Sequence, residues 1–124
     1  MSTALVIEDN ANNLELITFI LHQHGHSTRV ALSGTDGVAE ALGSRPDFIL
    51  LDIQLPDIDG FEVARRIRAG ETGAPAPIIA VTSYAMAGDR ERVLAAGCNG
   101  YIEKPIDPMR VMAQIEAVLK DLPA

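Results

Sequence analysis

Short continuous apolar runs alternate along this chain with stretches in which apolar residues recur every three or four positions. The runs are "ALVIE" (Ala4–Glu8), "STRVA" (Ser27–Ala31), "DFILL" (Asp47–Leu51), "PIIAVT" (Pro77–Thr82) and "NGYIE" (Asn99–Glu103). Unbroken rather than alternating apolar residues predict strands buried on both faces, with "STRVA" the weakest. Between them, helical spacing appears from Asn10 to Gln23 (Leu14, Ile17, Leu21), with Gly25 as its stop. Ser33 is placed to cap a second helix, Asp36 standing three residues on, with Val38, Ala41 and Leu42 as its apolar face. A third helix is predicted over Asp59–Ala69 (Phe61, Ala64, Ile67), and a fourth within Ala85–Ala96, ended by Gly97. Asp107 followed by Pro108 reads as the N-cap and first position of a last helix carrying Met112, Ile115, Leu119 and Leu122. "GETGAPAP" (Gly70–Pro77) is a loop.

Five strands alternating with five helices predict an α/β fold, a five-stranded parallel sheet covered on both faces. At 124 residues the expectation is one doubly wound domain over 1–124, and Met1 with the tapering "KDLPA" end favours a whole protein. Composition narrows the function. A net charge of -7 without any basic run argues against nucleic acid and against an anionic membrane surface. No window is apolar enough to span a bilayer, and "MSTALVIEDN" lacks the features of a signal peptide. The single cysteine, Cys98, excludes an internal disulfide framework and fits a reducing cytoplasm.

The candidate chemistry lies at strand ends, where open α/β sheets place their functional crevice. The first strand ends in Glu8 and Asp9, the third in Asp52, the fourth in Thr82, and the fifth leads to Lys104 and Pro105. Neighbouring first and third strands would bring three carboxylates together. Two unit charges about 5 Å apart repel by about 3 kcal/mol at an effective dielectric of about 20. A divalent cation with oxygen ligands, best Mg²⁺, relieves that repulsion, and the Lys104 ammonium completes the neutralisation. A carboxylate so placed can attack a phosphoryl group and form an acyl phosphate, with Thr82 donating to a phosphoryl oxygen.

Plainer roles exist for each residue taken alone. Asp52 or the Glu8–Asp9 pair could be helix caps, Lys104–Pro105 an ordinary loop, and Tyr101 core packing. It is their joint placement at strand ends that favours a site. The histidines of "HQHGH" (His22–His26) fall on different helix faces or beyond Gly25, so a solvated helix end is expected there rather than a metal. Cys98 is expected to be a small buried residue.

The segments "VIEDN", "FILLDIQLPDIDG", "IIAVTSYA" and "GYIEKPI" resemble, in order and over essentially the whole chain, those of response-regulator receiver domains, the chemotaxis-protein-like (CheY-like) phosphoacceptors. The later part is also similar to single-domain cell-cycle regulators of the DivK type and to receivers attached to hybrid kinases. The resemblance implies a flavodoxin-like (βα)5 fold with strand order 2-1-3-4-5. It implies that Asp52 accepts a phosphoryl group from a histidine kinase or histidine phosphotransferase. Glu8, Asp9, Asp52 and the backbone carbonyl of Gln54 would hold Mg²⁺, although many members have aspartate where Glu8 stands. Lys104 would be the family's lysine, Pro105 its cis proline, and Thr82 and Tyr101 the switch pair. Output would pass through the face of the fourth helix, fifth strand and fifth helix, in a two-component phosphorelay serving cell-cycle or motility control. Gln54 and Tyr84 would flank the route by which water reaches the acyl phosphate.

Other functions are weighed against this one. An aspartyl phosphatase needs a second acid two residues after the nucleophile, where this chain has Gln54, and a cap for which no residues remain. A flavodoxin-like cofactor binder needs a Gly/Ser/Thr-rich loop where this chain has "EDNANN". A receiver cut from a hybrid kinase and a phosphorylation-independent binding module stay as alternatives. The expectation is therefore a cytoplasmic phosphoacceptor that assists its own phosphorylation and dephosphorylation, not an enzyme acting on a separate substrate.

Overall fold

The computed structural model describes residues 2–83 and 88–122. Its elements alternate strictly: β1 (Thr3–Ile7), α1 (Ala11–Gln23), β2 (Ser27–Ala31), α2 (Gly34–Ser44), β3 (Phe48–Asp52), α3 (Gly60–Gly70), β4 (Ile78–Thr82), α4 (Asp89–Ala95), β5 (Gly100–Glu103) and α5 (Val111–Lys120). The five strands form one parallel sheet in the order β2-β1-β3-β4-β5. Three helix starts follow from local side chains. Asn10, Ser33 and Asp59 each accept a hydrogen bond from the backbone N–H three residues on, satisfying a donor that the first turn leaves open.

Alternate strand residues build two cores, because successive side chains point to opposite faces of the sheet. Leu5, Ile7, Ile49, Leu51, Ile78 and Ala80 meet α2, α3 and α4 on one side. Ala4, Val6, Phe48, Leu50, Ile79 and Ile102 meet α1 and α5 on the other. β3 and β4 are buried at every position, which accounts for their unbroken apolar runs. β2, one of the two edge strands, is mostly exposed, and its weaker sequence signal has the same origin.

Two boundaries depart from the sequence reading. α5 begins at Val111, not Pro108, because Asp107 is spent on a preceding turn: its Oδ1 accepts from Met109 N at 2.9 Å, and its carbonyl accepts from Arg110 N and Val111 N. Leu122 lies beyond the end of α5, while Val111 joins its buried face. α4 (Asp89–Ala95) lies within the span Ala85–Ala96 expected for it, of which residues 85–87 fall outside the described residues. It leans on α3 through the Arg92 guanidinium, 4.4 Å from the Phe61 ring centroid.

At the end of the sheet where the strands start, one side chain gathers several segments. Arg68 of α3 donates to both Glu71 oxygens (2.9 and 3.0 Å), to the carbonyls of Ala76 and Gly97, and to Asn99 Oδ1. It therefore joins α3, the approach to β4 and the turn before β5. Cys98 sits buried beside it, and burial pushes its thiol up to about 11. Among the described residues, no helix is long and apolar enough to cross a membrane.

At the opposite end, Gly60 lets α3 start against β3. A Cβ there would stand 2.6 Å from the Ile53 Cα and 2.8 Å from the Asp52 carbonyl oxygen, both backbone atoms. Gly60→Ala is expected to cost about 1–3 kcal/mol. Gly43→Ala, in α2 with nothing within 4 Å of the new Cβ, should instead raise stability by up to about 1 kcal/mol. Urea unfolding of the two variants checks this; similar midpoints would contradict the close approach at Gly60.

Candidate functional site

The site forms where β1 and β3 end side by side. Asp52 is the last residue of β3 and only 3 % exposed; Glu8, directly after β1, is 5 % exposed. Asp9 follows and points outward, exposed. Each of the three offers a carboxylate oxygen, and those oxygens lie within 4.8 Å of one another. Among the described residues this is the cluster able to hold a metal ion. His22, His24 and His26 instead engage separate partners: Thr28 Oγ1, the Ile20 carbonyl and Ser2 Oγ.

A buried carboxylate needs compensation. Asp52 receives it from two donors on one oxygen: Lys104 Nζ at 3.0 Å and the Gln54 backbone N–H at 2.9 Å, both to Oδ1. Lys104 reaches inward because its backbone N–H donates to the Thr82 carbonyl at 2.8 Å, extending the β4–β5 ladder by one bond. The Lys104–Pro105 peptide is cis. Thr82, fully buried at the end of β4, completes the rim on that side, and Tyr101 lies half-buried in β5, paired with Ala80. The fold thus brings Glu8, Asp9, Asp52, Gln54 and Lys104 together around one carboxylate, with Thr82 on the neighbouring strand end. Tyr101 stands farther down β5. Tyr84 falls outside the described residues.

The charge balance is incomplete without a cation. Burial above all, then a hydrogen bond with Asp52, raises the Glu8 carboxyl from its ordinary 4.5 to about 7, while the Asn10 N–H donating to Oε2 at 3.2 Å pulls the other way. Near neutrality Glu8 retains a proton that a divalent cation would displace. Hard carboxylate oxygens with one exposed side suit Mg²⁺, which keeps several of its waters.

Two features escape the sequence reading. Ser83 Oγ donates to Gln54 Oε1 at 3.1 Å, linking the loops that follow β3 and β4. Asp57 crosses to α2, where Oδ1 accepts from Gly34 N (2.8 Å) and Oδ2 from Thr35 N (2.9 Å) and Thr35 Oγ1 (2.6 Å). Both are contacts between distant segments, so no local pattern announces them.

A family model described as the response regulator receiver domain matches residues 4–116. The polar-differentiation response regulator DivK of Brucella ovis is 38% identical over 119 residues, covering 96% of this chain and 97% of that protein. The receiver domain of a sensor histidine kinase from Pseudomonas aeruginosa, solved with a magnesium ion in its active-site cleft, is 36% identical with a TM-score of 0.85, covering 97% of this chain and 98% of that one. A chemotaxis protein of Vibrio cholerae, 24% identical with a TM-score of 0.88 and covering 95% of this chain and 98% of its own, shares the fold.

The raised Glu8 group has a measurable consequence. Between pH 4.5 and about 7 the folded chain keeps a proton that the unfolded chain has released, so stability falls as pH rises through that window. In chelator, the melting temperature of the wild type should decline from pH 5 to pH 7.5 relative to Glu8→Gln, which should be the more stable protein at pH 8. Parallel pH profiles for the two would contradict the raised group.

Proposed function

The chain belongs to the response-regulator receiver family, and on that premise we propose that Asp52 is the phosphoacceptor of a two-component phosphorelay. The observation that carries this reading is the buried Asp52 carboxylate, held by Lys104 and the Gln54 N–H within a cluster of three acids. An Asp52 oxygen attacks the phosphorus of a phosphohistidine on a histidine kinase or phosphotransferase. The P–N bond breaks as the P–O bond forms, and the imidazole leaves neutral because its other ring nitrogen already carries a proton.

Mg²⁺, when bound by Glu8, Asp9, Asp52 and the Gln54 carbonyl, supplies positive charge to the phosphoryl oxygens. Lys104 supplies the remaining cation and, already fixed by the β4–β5 ladder, needs little reorganisation. Thr82 donates a hydrogen bond to a phosphoryl oxygen, and Tyr101 follows it inward. That population shift alters the face of α4, β5 and α5, where Arg90, Leu94, Tyr101 and Val118 border a groove of about 410 Å³ that receives a downstream protein. Gln54, bonded to Ser83 across the mouth, governs water access and so the lifetime of the acyl phosphate.

The chain is read as one receiver domain over 1–124, working in the cytoplasm, with no substrate beyond its own phosphoryl group. The likeness to DivK over nearly the full length of both chains favours a role in cell-cycle or polarity control, and the kinase-attached relative leaves a hybrid-kinase receiver as the second reading.

Incubation with Mg²⁺ and acetyl phosphate, read by intact mass, tests the chemistry. The wild type should gain one phosphoryl group, and Asp52→Asn or wild type in excess chelator should gain none. Modification that persists in Asp52→Asn, or no modification of the wild type under any condition, would overturn the assignment.

A further inference from the structure

The loop between β3 and α3 carries more anchoring than its own helix requires. Residues 53–59 leave the sheet at Ile53, whose N–H donates to the Val81 carbonyl, and close where Gly60 N donates to the Ile53 carbonyl at 2.8 Å. α3 has its own cap in Asp59, which accepts from Glu62 N. α2 has its own cap in Ser33, which accepts from Asp36 N. Asp57 accepts the Gly34 and Thr35 N–H groups that Ser33 leaves open, together with the Thr35 hydroxyl, so it caps the first turn of α2 from a distant segment and ties the β3–α3 loop to it.

Steric fit makes the crossing specific. A Cβ on Gly34 would fall 2.6 Å from Ile58 Cγ1, 2.8 Å from Val63 Cγ2 and 3.2 Å from Asp57 Oδ1. Only glycine lets α2 approach the loop this closely. Leu55 and Ile58 seat the same loop on the core, whereas Gln54 and Pro56 are exposed.

We infer that Asp57 is a positioning residue for the Asp52 site: by tying the β3–α3 loop to the N-terminus of α2, it sets where the Gln54 backbone stands beside Asp52. The inference rests on the proposed metal site, in which the Gln54 carbonyl is a ligand, and on the Gln54 N–H bond to Asp52 Oδ1. Mg²⁺ demands near-octahedral geometry. A carbonyl on an unanchored loop would have to be ordered at the moment of binding, and an anchored one is already in place. The three hydrogen bonds, led by the Thr35 hydroxyl, hold the Asp57 carboxyl far below the usual carboxylate range, so the tether stays ionised throughout the neutral and mildly acidic range.

The test compares Asp57→Ala, Asp57→Asn and Thr35→Val with Ser33→Ala, a cap deletion on the same helix turn that leaves the crossing intact. Mg²⁺ titration by calorimetry and amide exchange of Gln54 in metal-free protein are the readouts. Asp57→Ala should weaken Mg²⁺ binding about tenfold, the low end for outer partners of a metal site, and speed Gln54 exchange. Thr35→Val and Asp57→Asn should do less in the same direction, and Ser33→Ala should lower the melting temperature without changing either readout. Wild-type affinity and exchange in Asp57→Ala, or the same changes in Ser33→Ala, would overturn the inference. Should Asp57→Ala fail to fold, Thr35→Val alone decides, since it removes one bond and keeps the carboxylate. A wild type that binds no Mg²⁺ would sink the metal reading instead, and Gln54 exchange in metal-free protein would still decide the tether.

Discussion

Three acids cannot share the end of two adjacent strands without a counter-charge, and much of this molecule can be understood as supplying one. Parallel pairing of β1 with β3 makes the convergence unavoidable, because it sets Glu8 and Asp52 at the same edge. The β4–β5 ladder then delivers Lys104 to Asp52 from the far side. Burial above all, then the hydrogen bond with Asp52, leaves Glu8 holding a proton near neutrality. A site in this condition favours any ligand that brings positive charge, and the exposed Asp9 leaves such a ligand its water.

The sequence made the architecture legible because burial on both faces leaves a run that no helix of ordinary amphipathicity imitates. β3 and β4 are the clearest cases, and β2 coincides with its predicted span even though an edge position weakens its signal. Helix starts were readable where a side chain caps the next turn, as at Asn10, Ser33 and Asp59. They were misread where the same residue types serve another purpose. Asp107 looks like a cap for α5 and is one for the turn before it.

The acids and Lys104 were legible for a different reason: each stands at the end of a strand or within two residues of it, so topology alone carries them to one edge. Asp57 and Arg68 were not. Asp57 lies among other turn-forming residues in "LPDIDG", and Arg68 lies on a helix with three other charged residues. Their significance depends on partners more than twenty residues away along the chain, Gly34 and Thr35 for one, Gly97 and Asn99 for the other. Such contacts emerge only once the sheet order is known.

Arg68 fastens the strand-starting end of the sheet, and the candidate chemistry occupies the other. The Arg68 contacts and the reactive carboxylates therefore involve different residues at opposite ends of the sheet. The outer surfaces of the helices are bound by neither. Natural variation can rewrite those surfaces, and with them the choice of correspondents, while the reactive edge and its foundation stay as they are. One chemical device can in this way be copied and readdressed many times within a single cell.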